Sequence, residues 1–165
     1  MSDNTETDTD AGIDMTAEAY RLSLGLSAGS LAEQLGVDTS RVLAWEQGNE
    51  PVPEKAMAWL GEHRAELVDE IRSFMADEQE MRRNGESDPE TGGWDFTLYR
   101  DAPRFAAANQ PTRITDWRTW NQAYLIIGLL IEALGYQINY RTFGYRNKKD
   151  NNRMLVDGFG PVKLI

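Results

Sequence analysis

Hydrophobic positions recur along this chain in three different rhythms, and each predicts a different kind of element. From Met15 to about Leu60, apolar residues come in short clusters divided by Gly25, Gly36 and Gly48. Spacing of that kind limits each helix to two or three turns and predicts a compact helical module over 15–60. From Glu54 to about Arg83 the only Gly or Pro is Gly61, and Pro53 ahead of Glu54 suits the first turn of a helix. Along this stretch Met57, Leu60, Arg64, Leu67, Ile71, Phe74, Glu78 and Met81 follow at alternating intervals of three and four. That is a helical seam with two charged interruptions, on a helix about 45 Å long. Such a seam packs either on the chain's own C-terminal half or, coiled-coil fashion, on a partner.

Beyond the loop-forming NGESDPETGG of 84–93, the segment WDFTLYR alternates as a strand does. It puts Trp94, Phe96 and Leu98 on one face and Asp95, Thr97 and Tyr99 on the other. Asp101, with Pro103 close behind, predicts a capped short helix through about Ala108. Thr115 or Asp116 caps a longer one from Trp117 to Leu134, stopped by Gly135. Its middle, Ala123–Ile131, is apolar almost all round, which predicts burial. Tyr136–Tyr145 reads as a strand, with another at Arg153–Val156. The expected fold is mainly α: a module of short helices, a long connecting helix over 54–83, and a small α+β part over 94–165.

Charge sharpens this organisation. The net charge is −10, which opposes general affinity for nucleic acid, because that affinity comes from Lys and Arg displacing counterions. Residues 1–14 carry five acids and no base, too polar to fold alone, and predict a disordered acidic tail. Residues 15–50 sum to −3, 51–92 to −6 and 93–165 to +4, so the C-terminal part is basic. The absence of cysteine excludes disulfides and thiolate zinc sites, and one histidine, His63, is too few for an imidazole metal site. No export signal or apolar run of membrane length is present, which predicts a cytoplasmic protein with no membrane partner. Paired acids such as Asp69 and Glu70, or Glu78 and Glu80, have no nucleophile or phosphate loop to work with, and the GFG at 158–160 lacks a strand-to-helix context. The chain reads as a non-enzyme without cofactor.

The informative stretch is 24–53, LGLSAGSLAEQLGVDTSRVLAWEQGNEPVP. A helix-turn-helix needs a small residue where its helices touch, a glycine at the turn and apolar anchors beneath the second helix. Ala32, Gly36 and Val37 fit the first needs, Val42 and Trp45 the anchors, and Leu31 and Leu35 complete the core. Asp38 is placed to cap a recognition helix that opens at Thr39 and ends near Gly48.

The segments GLS, LAEQLGV and WEQG resemble the Cro/repressor (XRE-like) helix-turn-helix family over Met15–Leu60. The resemblance implies a transcription regulator that binds duplex DNA, with Thr39, Ser40 and Ala44 facing base edges. Ala28 departs from the family, standing where a phosphate-binding glutamine is common. On side-chain chemistry Arg41 suits a guanine or phosphate, and Thr39 and Ala44 suit thymine methyls. Gln47 and Asn49 suit phosphates, and Ser27 and Asp38 complete the expected DNA-binding set. The later segments WDFTLYRDAPRF and ITDWRTWNQAYL, through Val52, Pro53, Phe96, Tyr99, Trp117, Arg118 and Gln122, look like the YdiL-like regulators, which include anti-CRISPR-associated repressors. That likeness implies autorepression and a dimerising C-terminal part.

So few strong donors on one recognition helix also call for two arms about 34 Å apart, hence a homodimer. The residues expected to form its interface are Phe96, Tyr99, Trp117, Trp120 and Tyr124. Two alternatives stand beside this reading. One is an adaptor that keeps the helix-turn-helix fold with little DNA affinity. The other concerns Tyr140–Lys149, YRTFGYRNKK, which is either a strand ending in a solvated basic segment or a second surface where aromatics stack on RNA bases.

Overall fold

A computed structural model describes residues 15–143 and 161–163. The tail expected at 1–14, the strand expected at Arg153–Val156 and the basic run 144–149 lie outside the described residues. The protein is mainly helical, with a small sheet. Helices α1 (Thr16–Ser23), α2 (Ala28–Leu35) and α3 (Thr39–Glu46) lead into α4 (Glu54–Arg83). Strand β1 (Gly92–Leu98), helices α5 (Ala102–Ala108) and α6 (Trp117–Ala133), and strands β2 (Gln137–Thr142) and β3 (Pro161–Lys163) follow. Among the described residues no helix is long and apolar enough to cross a membrane.

The predicted boundaries are set by local chemistry. Pro53 sits just ahead of α4, in extended backbone, so the helix opens on Glu54, an acid in the first turn where the helix dipole favours negative charge. Asp101 accepts the amide of Arg104 at 2.9 Å and starts α5, and Asp116 accepts those of Arg118 and Thr119 at 2.8 and 3.3 Å and starts α6. Gly135 follows the end of α6 with φ +100°.

The sheet has the order β2-β1-β3. β1 runs parallel to β2, with Trp94 opposite Ile138 and Phe96 opposite Tyr140, so α5 and α6 form the crossover between them. β3 pairs antiparallel on the other side, with Val162 opposite Gly93. Trp94 and Phe96 face the helices, while Asp95 points the other way and pairs with Arg141 at 2.6 Å.

The α4 seam packs within the chain, on the N-terminal helices at its start and on the C-terminal half beyond. Phe74 meets Trp94, Phe96 and Tyr124 edge-on at ring separations of 4.9, 5.6 and 6.1 Å. Both charged interruptions are used. Arg64 lies 4.9 Å over the Tyr20 ring. Glu78 is 1% exposed, accepts a hydrogen bond from the Tyr136 hydroxyl at 2.8 Å and lies 3.5 Å from Arg82. Burial, above all, holds the Tyr136 hydroxyl well above its ordinary pKa, and Glu78 adds to the shift. The Tyr124 hydroxyl is raised the same way, by burial first and by Glu70 second, to which it donates at 2.8 Å.

Three expectations are corrected by this packing. Phe96, Tyr99, Trp120 and Tyr124 are not dimer-surface residues: each is at most 4% exposed within one protomer, and Trp117 is half-buried with the Arg118 guanidinium 4.8 Å over its ring. These aromatics hold the protomer itself together. Tyr99 breaks the alternation, because β1 ends at Leu98 and the Asn121 side chain takes over its backbone, accepting from its N–H at 2.8 Å and donating to its C=O at 2.7 Å. The middle of α6 is not buried all round, since Leu125, Leu129 and Leu130 remain exposed.

Removing the donor from Glu78 leaves a buried carboxylate short of a partner, so Tyr136→Phe is expected to destabilise the fold by about 1–3 kcal/mol in urea denaturation. Because Tyr124 and Tyr136 stay protonated in the fold to higher pH than in the unfolded chain, their contribution is complete below the unfolded pKa of 10.0 and lost as pH rises beyond it. Melting temperature measured up an alkaline series should therefore fall above that pH, and less steeply in Tyr136→Phe.

Candidate nucleic-acid interface

The surface in question is built from α2, α3 and the turn between them. Ser27 stands in extended backbone and its hydroxyl accepts the amide of Ser30 at 3.0 Å, which opens α2. Gly36 ends α2 in the left-handed region at φ 65°, and Val37 returns its amide to Ala32 at 3.0 Å. No atom lies within 4 Å of where a Gly36 Cβ would stand, so the demand for glycine there is conformational.

Helix α3 begins at Thr39, with Asp38 extended at the N-cap position. The Asp38 carboxylate accepts no capping hydrogen bond, a correction to the expected cap, and the first-turn amides of α3 have no side-chain partner from that residue.

Leu31, Ala32, Val42 and Trp45 are buried between the helices, and Leu35 and Val37 are half-buried beside them. A second constraint fixes α3 against α1. Arg21 donates to both Glu46 carboxylate oxygens at 2.5 and 2.9 Å and to the carbonyl of Leu26 at 2.7 Å, all in a largely buried setting. The carbonyl of Ala44 accepts the amides of Asn49 and Glu50 at 2.9 and 3.2 Å and closes the far end of α3.

The residues expected to meet DNA divide into three groups. Thr39, Ser40, Arg41, Gln47 and Asn49 are exposed on one connected segment, with Asp38 exposed beside them. Ala28 and Ala44 are half-buried. Ser27 is exposed but used as the cap of α2, and its hydroxyl is 2.9 Å from that of Ser30.

The starts of α2 and α3 converge. A Cβ placed on Gly29 would lie 3.7 Å from the Thr39 hydroxyl and 3.8 Å from that of Ser27. Two helix N-termini and a set of small hydroxyls thus share one patch, an arrangement whose partial charges favour phosphate. Its convergence was not legible in the sequence, since Gly29 and Thr39 meet only when α3 folds back on α2. The exposure of Leu43 was also missed.

Charges around the patch are mixed. Arg41 lies 3.6 Å from Glu50, and Asn49 donates to Gln47 at 3.1 Å. Both members of the Arg41–Glu50 pair are about half exposed, so solvent screens the pairing and little is lost when the guanidinium turns to another anion. At the other end of α2, Gln34 donates to Asp116 at 3.4 Å and Arg118 lies 3.9 Å from Glu33, joining the module to the start of α6.

Of the residues weighed for RNA, Tyr140 is exposed and Arg141 is engaged with Asp95. Among the described residues no group of three or more His, Cys, Asp or Glu could hold a metal ion. No protein family matches the chain by sequence, and no curated protein matches it.

Because breaking one side of a buried ion pair strands the other, Glu46→Ala is expected to cost about 3–5 kcal/mol of stability. Exposed Glu50→Ala should change it by less than about 1 kcal/mol. Paired chemical denaturation curves check both.

Proposed function

We propose that the chain is a sequence-specific DNA-binding regulator in which α2, Gly36 and α3 form a helix-turn-helix. In this reading α3 enters the major groove, and the protein represses a nearby promoter as a homodimer. The observation that carries the reading is the state of α3: held from beneath by Val42, Trp45 and the Arg21–Glu46 pair, it leaves Thr39, Ser40 and Arg41 exposed. A rigid, polar, short helix beside a second helix start is what groove recognition needs. Arg41 leaves Glu50 to reach a guanine edge or a phosphate, Thr39 and Ser40 contact bases, and Ser27, Gln47 and Asn49 take phosphates.

An adaptor that binds protein in place of DNA is the second reading. It is favoured by Leu43, which stands 42% exposed on α3, and by the exposed acidic residues Glu33, Asp38 and Glu50 of the same helical module.

Fluorescence anisotropy on duplexes from the region upstream of the gene separates the two. The regulator reading expects one duplex to bind well above random sequence, with affinity falling steeply as salt rises. Arg41→Ala should weaken that binding by about 1–3 kcal/mol, roughly ten- to a hundredfold. No sequence preference at low salt, with wild-type and Arg41→Ala chains indistinguishable, would sink it in favour of the adaptor.

A further inference from the structure

A cavity of about 280 Å³ lies between α4, β1 and α6, and no residue of the helix-turn-helix lines it. Phe74, Trp94 and Tyr124 form its aromatic walls, and Glu70 and Asp77 supply carboxylates. The same rings hold α4 to the sheet and to α6, with Phe74 4.9 Å from Trp94 and 6.1 Å from Tyr124, so the core fixes the shape of the space. At roughly 30 Å³ per water the volume suits only a compact ligand.

The acids on its wall lack a cation. Glu70 is half-buried, and its two carboxylate oxygens accept from the hydroxyls of Tyr124 at 2.8 Å and Thr112 at 2.9 Å, both neutral donors. Asp77 is exposed two turns further along α4. The nearest bases on α4 are engaged elsewhere, Arg72 with Asp69 at 2.6 Å and Arg82 with Glu78 at 3.5 Å, and among the described residues neither Glu70 nor Asp77 has an ion pair. Negative charge beside aromatic rings, with no cation supplied, selects an organic ammonium ion: the carboxylate meets its charge and the rings its carbon shell. Two carboxylates two turns apart are too few to enclose a metal ion. Trp94 adds a third requirement. It is 4% exposed, and its indole Nε1–H is buried with no acceptor among the described residues, a costly omission that an oxygen on the ligand repairs.

We propose that this cavity binds a small organic ammonium ion carrying an oxygen acceptor, with the ammonium beside Glu70, the oxygen at the Trp94 indole N–H, and the exposed Asp77 drawing the cation in. The site does not rest on the regulator reading, and its test requires no DNA, so either can fail without the other.

Choline is the probe. Titrated into the full chain at millimolar concentration, it should move the Trp94 indole signal in heteronuclear NMR spectra, assigned by its loss in Trp94→Phe, and raise the melting temperature. The neutral carbon isostere of choline should bind more weakly by at least about tenfold, and tetramethylammonium, which lacks the oxygen, should leave the indole signal in place. Glu70→Gln should weaken choline by more than about tenfold, and the exposed Asp77→Asn by about two- to fivefold. Ser73 is an exposed position on the cavity wall, so Ser73→Phe should block binding with the far-ultraviolet spectrum unchanged. Absence of any choline response at the Trp94 indole, or equal binding of the neutral isostere, overturns the proposal. Binding that survives both Asp77→Asn and Ser73→Phe at wild-type strength overturns it equally.

Discussion

The structure hangs on one buried stripe along α4. Ala56 and Leu60 close the core under the short helices, Leu67 continues it, and Phe74 and Glu78 reach the sheet and α6. A helix can serve two packing partners in this way only if its buried positions stay in register over its whole length, which the three-and-four spacing provides. Phe74 stands among Trp94, Phe96 and Tyr124, so the position of α4 fixes that of β1 and α6. Packed interiors do not deform continuously, and α3 is accordingly presented on a rigid base.

Polar groups inside this core act as positioning devices. Glu78 is costly to bury as a carboxylate, and the Tyr136 hydroxyl with Arg82 nearby compensates for the lost water. Arg21 and Glu46 do the same between α1 and α3. The exposed Arg41–Glu50 pair is of a different kind, with solvent on both partners and little energy in the contact. The same two residue types are thus structural where buried and exchangeable where exposed, and the exchangeable pair is the one that lies on the candidate interface.

The C-terminal part is thin. One small sheet with α4 and α6 on one face packs one side of α6, and on its other side Leu125, Leu129 and Leu130 stay exposed among the described residues although they are apolar. Aromatic content is spent inward: Trp120 stacks on Tyr124 at 4.2 Å and Tyr99 meets Phe105 at 5.1 Å, leaving aliphatic Leu125 and Leu129 outside. An aromatic-rich segment is therefore a poor guide to an interface when the same residues must build the protomer's own core.

Local chemistry was readable in the sequence wherever the deciding groups lie within a few residues of one another. The glycine breaks at 25, 36 and 48, the cap Asp101, a cap at Thr115 or Asp116, and the limits of α4 all follow from nearest-neighbour backbone and side-chain preferences. The polar exposure of Thr39, Ser40 and Arg41 follows from the buried spacing of Val42 and Trp45. What the chain's linear order left open was decided by contacts between distant residues. Tyr99 is inside because Asn121 captures its backbone, Glu78 is inside because Tyr136 reaches it, and Leu129 is outside because none of the described elements packs over it. Periodicity reports which side chains share a face, but only the arrangement of the other elements decides whether that face has anything packed against it.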